Sequence, residues 1–314
     1  MRWGDFRRSD NVDDRTQGDP GGGGMPGGGG IKLGGGALVI IVIASLVFGV
    51  NPLEMIGMME GGGPVTQSVP EQQPAPGYGP RQAPAPGEPR PPAAAPDRSK
   101  DFAAAVLGDT EDVWGAVFQT MGARYVPPKL VLFRRATRSA CGSASAAMGP
   151  FYCSADRELY LDTAFFGQLE TRFRGCSGKA CEFARAYVIA HEVGHHVQNL
   201  LGILPKVQQQ QRSMDKVAAN RLQVRVELQA DCFAGVWANH AEQKYKILEP
   251  GDIDAALQTA AAIGDDMLQK RARGVVVPDS FTHGTSEQRK RWFTNGFKEG
   301  TIKACNTFGL DARL

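Results

Sequence analysis

The chain has 314 residues, 42% of them hydrophobic, and a formal net charge of +2. Residues 1–98 hold 21 of the 39 Gly and 14 of the 20 Pro but none of the 6 Cys or 5 His. This asymmetry excludes one uniform globular domain, and the glycine runs lack the three-residue period of a collagen-like chain. From residue 99 onward 27 Lys and Arg face 23 Asp and Glu, too even a balance for nucleic acid as a main partner.

Residues 1–32 are charged and Gly-rich. Such a stretch offers little apolar surface to offset its ordering entropy, so a flexible tail is expected. Leu33 to Leu53 carries no charge and centres on ALVIIVIASLVFGV. Helical, it would span about 30 Å, the thickness of a bilayer core. The long preceding tail and the lack of an A-x-A site argue against a cleaved signal peptide, so one uncleaved membrane anchor is expected over 33–53. Arg2, Arg7, Arg8, Arg15 and Lys32 precede it, and the next basic residue is Arg81. That bias predicts a cytoplasmic N-terminus and a periplasmic or extracellular C-terminal part. Residues 54–99 are rich in Pro and Gly, which favours an extended spacer.

The remaining domain, 100–314, is long enough for one substantial core. Apolar residues at helical spacing (Val106, Val113, Val117, Phe118, Met121) open it. Strands are expected at Lys129–Phe133 and Glu158–Asp162. Helical patterns then dominate: 164–173, 181–201, 206–241, 252–270 and 286–297. The fold class expected is α+β, with helices outweighing a small sheet. All six cysteines (Cys141, Cys153, Cys176, Cys181, Cys232, Cys305) lie in this part, as disulfides would in an extracytoplasmic domain. Short loops favour 141–153 and 176–181, leaving 232–305, although six cysteines allow 15 pairings. No CxxC pair occurs, which argues against thiolate zinc ligands.

Residues 187–202 read YVIAHEVGHHVQNLLG. On a helix His191 and His195 project from one face a turn apart, where two imidazoles can share one tetrahedral metal. Glu192 stands beside the first of them, within reach of a metal-bound water. This is the HExxH pattern of zinc metallopeptidases. Gly194 inside the helix costs about 1 kcal/mol against Ala, which a close approach by another element would explain. A catalytic zinc needs a third protein ligand. The stretch RVELQADCFAGVWA, starting at Arg225, offers Glu227 as that ligand. Asp231, one turn on, is placed to bond the far nitrogen of a ligand histidine and fix its tautomer. His196 matches no ligand spacing and is expected to be structural, while His240 lies three turns beyond Glu227, too far for the same metal. His283 sits in PDSFTHGTSEQRKRWF, just before a helix that Thr285 or Ser286 could cap. It is either a donor to a developing oxyanion or a surface-loop histidine.

HEVGHHVQNLLG, ELQADCFAGVWA, FYCSADRELYLDTAFF and FTHGTSEQRKRWF, taken together, resemble the bacterial neutral zinc metallopeptidase family, and the likeness extends over essentially the whole chain. The resemblance implies a mainly helical zincin-like, Glu-liganded domain with a small sheet. It implies Zn²⁺ ligands at His191, His195 and Glu227, a catalytic base at Glu192, and a catalytic role for His283 ahead of the helix that carries Arg289. It also implies an edge strand beside the active-site helix that pairs with extended substrate, for which Glu158–Asp162 is the candidate. The expected function is a membrane-anchored zinc endopeptidase acting on peptides or proteins, with Glu192 accepting the proton of a metal-activated water. The alternative is a non-catalytic zinc-binding envelope module that engages other envelope proteins.

Overall fold

The computed structural model describes residues 1–16, 98–145, 149–171, 176–273 and 275–309. In chain order the elements are β1 (Val12–Asp14), α1 (Arg98–Thr120), β2 (Lys129–Phe133), β3 (Ala136–Ser139), β4 (Gly142–Ser145), β5 (Phe151–Cys153), β6 (Glu158–Asp162), α2 (Phe165–Thr171), α3 (Cys181–Leu200), α4 (Ile203–Gln211), α5 (Lys216–Tyr245), α6 (Asp252–Ala262), α7 (Asp265–Arg273) and α8 (Ser286–Glu299). Helices outweigh strands, as the periodicity predicts.

Four strands form one sheet in the order β1-β2-β6-β5, and β3 and β4 make a separate two-stranded ladder. β2 runs parallel to both β1 and β6, and its residues Leu130 to Phe133 are all buried. That continuous apolar run is what a parallel strand covered on both faces requires. β5 lies antiparallel to β6 at the edge. β6 is therefore paired on both sides, which corrects the expectation that Glu158–Asp162 is a free edge. The run ELYLD is a good strand former, but its alternation does not reveal how many neighbours it has. Among the described residues the free edge on that side is β5, and its Tyr152 reaches α3 by accepting from Asn199.

The helices carry most of the core. α5 is the central one: α3 packs on one side of it and α8 on another, with Trp114, Phe183, Phe233 and Trp237 fully buried around it. The cysteines pair as Cys141–Cys153, Cys176–Cys181 and Cys232–Cys305, the combination that short loops favour. Three disulfides fit an oxidising compartment.

The N-terminal residues differ from expectation. Residues 1–16 are not a detached tail but dock on the helical domain. Met1 and Phe6 are buried at 4% and 3% exposure. The Met1 amino group pairs with Glu249 and Asp252, Arg7 with Glu111 and Arg8 with Asp101. The Arg7 carbonyl lies so close to α1 that a Cβ at Gly108 would sit 2.2 Å from it. β1 then completes the sheet, Val12 opposite Leu130 and Asp14 opposite Leu132. A chain that crossed a bilayer once between residues 16 and 98 would leave β1 and β2 on opposite sides, where no ladder can form. This corrects the single-pass topology, with its cytoplasmic tail and outside domain. The segment 33–53 and the spacer up to residue 97 lie outside the described residues, and among the described residues no helix is long and apolar enough to cross a membrane. Reading residues 1–32 as one compositional block hid the difference between its Gly-rich end and its first sixteen residues, which carry Met1, Trp3, Phe6 and Val12 among paired arginines.

Candidate metal centre

α3 and α5 cross at very close range. A Cβ built on Gly194 would stand 3.0 Å from the Ala230 carbonyl oxygen and 3.1 Å from its Cα, so glycine at this point lets the two helices touch. That contact brings the α3 histidines to the α5 carboxylates. His191 Nε2 lies 3.2 Å from Glu227 Oε2, and His195 Nε2 lies 3.5 Å from the same oxygen. One ligand atom from each of the three side chains falls within 4.8 Å of the others.

The far side of each ring is tied down. His191 Nδ1 donates to Asp231 Oδ1 at 2.9 Å, and His195 Nδ1 donates to Gln198 Oε1 at 2.9 Å. A ring that keeps its proton on Nδ1 has Nε2 as the atom that binds a metal once its own proton is displaced, and both Nε2 atoms point toward Glu227. Gln223 donates to the other Glu227 oxygen at 2.9 Å. Two imidazoles and one carboxylate, oriented by second partners and largely buried, form a donor set that fits a zinc ion.

The electrostatics agree. Burial opposes a charge on His195, yet Glu227 outweighs it and holds the ring's pKa at about 9. Burial would likewise raise Glu227, but the two histidines hold its carboxyl well below the usual range. The crevice is thus strongly attractive to positive charge. Glu192, on the turn between the two histidines, is 9% exposed. Burial raises its pKa, with His191 and His195 pulling the other way.

Asp231 is fully buried and fully engaged. Besides His191 it accepts from Tyr187 Oη at 2.6 Å and from Arg289 through two nitrogens, at 2.8 and 2.9 Å. Burial opposes its charge, but Arg289 and His191 pull its pKa down to about 2. It is therefore an anion at any working pH, which fixes the His191 tautomer. His283 approaches from the loop before α8, where Thr285 and Gln288 form a reciprocal capping box. Its Nδ1 lies 3.3 Å from Asp265 Oδ1, while Asp265 Oδ2 accepts the backbone N–H groups of Thr282, His283 and Gly284. His283 and Glu227 are near enough to perturb each other's charge.

The structure therefore gathers His191, Glu192, His195, Glu227, Asp231 and His283 about one crevice. His196 points elsewhere, bonding the Val126 carbonyl, and burial lowers its pKa to about 4, which keeps it neutral. His240 bonds the Gly300 carbonyl, away from the crevice. Sequence reasoning missed Tyr187, Gln198, Gln223 and Asp265. Three of these sit three or four residues from a site residue on the same helix, a spacing that places them on the same face. Nothing in the sequence pointed to Asp265.

A family model described as "Putative neutral zinc metallopeptidase" matches residues 1–308. The chain belongs to this family. It is 46% identical over 311 residues to "Uncharacterized protein YpfJ" of Escherichia coli (strain K12), covering 98% of this chain and 99% of that one. It is 44% identical over 202 residues to "Uncharacterized protein Mb2605" of Mycobacterium bovis, covering 62% of this chain and 66% of the relative. No solved structure matches the chain. The match of this zinc metallopeptidase family starts at residue 1, which agrees with the N-terminal residues being part of the fold.

Proposed function

We propose that this protein is a zinc-dependent endopeptidase in which His191, His195 and Glu227 hold the metal and Glu192 is the general base. The observation that carries the proposal is the convergence of two Nε2 atoms, each ring held at its Nδ1, and one carboxylate oxygen beside a buried glutamate. Three protein ligands leave a fourth position open, as catalytic sites do and closed structural sites do not; no fourth His, Cys, Asp or Glu joins them among the described residues. The non-catalytic module would need that fourth ligand.

When bound, zinc supplies Lewis acidity, polarising a scissile carbonyl and acidifying a coordinated water. The rest falls to the chain. Glu192, raised by burial, accepts a proton at its carboxylate and returns it to the leaving amine. Asp231, clamped by Arg289 and Tyr187, holds the His191 ring in place. Burial opposes a charge on His283, but Asp265 at its Nδ1 raises the ring's pKa, and the doubly protonated ring carries an Nε2–H that can donate to the oxyanion that develops on the substrate carbonyl. β5, the free sheet edge that touches α3, supplies backbone donors and acceptors to an extended peptide with little demand on its side chains.

The test is cleavage of an unfolded protein by the purified full-length chain. Cleavage that stops on chelation and returns with one equivalent of Zn²⁺ supports the proposal. Cleavage indifferent to chelation contradicts it.

A further inference from the structure

The support of His195 continues well beyond its first partner. Gln198 Nε2 donates to the Val226 carbonyl at 2.7 Å and to Gln229 Oε1 at 3.1 Å. Gln229 Nε2 in turn donates to the Cys305 carbonyl at 2.9 Å. Both amides are buried, at 0% and 5% exposure. Cys305 is covalently joined to Cys232, the residue next to Asp231, which holds His191. The same C-terminal segment is clamped to α5 a second time, where Thr307 Oγ1 donates to the Arg225 carbonyl at 2.7 Å.

The direction of this chain is set by chemistry. A backbone carbonyl only accepts, so the Cys305 carbonyl fixes the –NH₂ end of Gln229 and the Val226 carbonyl fixes the –NH₂ end of Gln198. Gln229 must then present its oxygen to Gln198, and Gln198 its oxygen to His195. Among the described residues the group that donates to that oxygen is His195 Nδ1–H, which leaves Nε2 for the metal. Two carbonyls thus dictate the tautomer of a histidine through two intervening amides.

We infer that Gln198 and Gln229 are positioning residues for metal binding, and that the Cys232–Cys305 disulfide anchors the far end of their hydrogen-bond chain. The inference rests on the zinc reading above. It assigns the C-terminal disulfide a purpose beyond stability: with the Cys305 carbonyl free to drift, Gln229 and Gln198 are free to rotate, and His195 loses the partner that selects its tautomer.

The experiment strips the full-length protein of metal, then titrates Zn²⁺ against a fluorescent indicator. In parallel it records the visible absorption of the Co²⁺ form, which reports ligand geometry. Gln198→Met and Gln229→Met keep side-chain volume while removing the amides. Losing a second partner of a ligand histidine typically weakens metal affinity about 10- to 100-fold. That range is expected for Gln198→Met, with a smaller loss for Gln229→Met and an altered Co²⁺ band in both. The Cys232→Ala/Cys305→Ala double variant is expected to shift the same way. Gln198→Glu, as a neutral acid whose hydroxyl donates to the Val226 carbonyl, retains an oxygen for His195 Nδ1 and should recover most of the affinity, a rescue that a merely space-filling role would not show. Metal-free melting temperatures identify any variant that fails to fold, and Gln198→Glu, nearly isosteric with the wild type, then carries the comparison with Gln229→Met. Wild-type affinity and an unchanged Co²⁺ band in both methionine variants would overturn the inference while leaving the zinc reading intact. A wild-type protein that takes up no zinc would overturn both.

Discussion

Phe6→Ala tests directly whether the first residues belong to the domain. Phe6 is 3% exposed, and its ring lies 5.4 Å from that of Tyr245 at the end of α5. Truncating a buried phenylalanine costs about 3–5 kcal/mol, a large part of the roughly 5–15 kcal/mol that holds a typical domain together. For a domain of this size each kcal/mol moves the melting midpoint by about 2–4 °C, so a fall of roughly 6–20 °C is expected. Thermal unfolding of full-length protein, followed by circular dichroism, is sufficient. Asp5→Ala, an exposed site in the same segment, serves as the control and should change stability by less than about 0.5 kcal/mol. If Phe6→Ala melts with the wild type, the N-terminal segment does not dock as described, and the argument against a membrane crossing between β1 and β2 fails with it.

Further outcomes follow from the same geometry. Burial raises Asp109 from 3.8 to about 6, against the donation it receives from Trp237. The folded state therefore holds that proton more tightly than the unfolded chain does. This contribution is fully present below pH 3.8 and lost as pH rises through 6, a difference of about 3 kcal/mol. Asp109→Asn should flatten the slope of stability across that window in urea titrations at stepped pH, and an unchanged slope would show that Asp109 is not its source. Gly194→Ala gains about 1 kcal/mol of helix propensity but must push α3 off Ala230 at an overpacking cost of about 1–3 kcal/mol. A net loss in urea midpoint is expected, accompanied by weaker zinc binding; a stabilised variant would mean that the helices are not in contact there. Arg289→Met leaves Asp231 buried without its cationic partner, and breaking such a pair costs about 3–5 kcal/mol, measurable as a lowered urea midpoint; a midpoint equal to the wild type's would refute the pairing. Saturating Zn²⁺ at a hundred times its dissociation constant should stabilise the native state by about 2.7 kcal/mol, read as a rise in melting temperature that chelation reverses.

Much of the crevice was legible because helical geometry is periodic. HExxH and the E-x-x-x-D of α5 each put two functional groups on one face, and Gly194 marked in advance a contact that proved to be Ala230. The cysteine pairing is the one that short loops favour, although loop length by itself left the other combinations open. What sequence could not convey was pairing between distant segments. β6 reads as a strand whether it has one neighbour or two, so its central place in the sheet was hidden. β1 is three residues long and separated from β2 by more than a hundred positions, so no local pattern announced it. The buried ends of the support network were equally silent. Gln198 and Gln229 look like ordinary polar helix residues, and only the Cys305 carbonyl, brought near by the fold, explains their burial. Arg289 stood out in the sequence as part of a motif, but its partner Asp231 emerged only when α8 packed on α5.

The most direct test of the central claim is Glu192→Gln in the full-length protein, with zinc content and cleavage of an unfolded substrate measured on the same samples. The proposed mechanism predicts that the variant retains about one zinc per chain and loses cleavage by at least about 100-fold, the lower end of what general-base catalysis contributes. A variant that keeps its zinc and cleaves as fast as the wild type would contradict it.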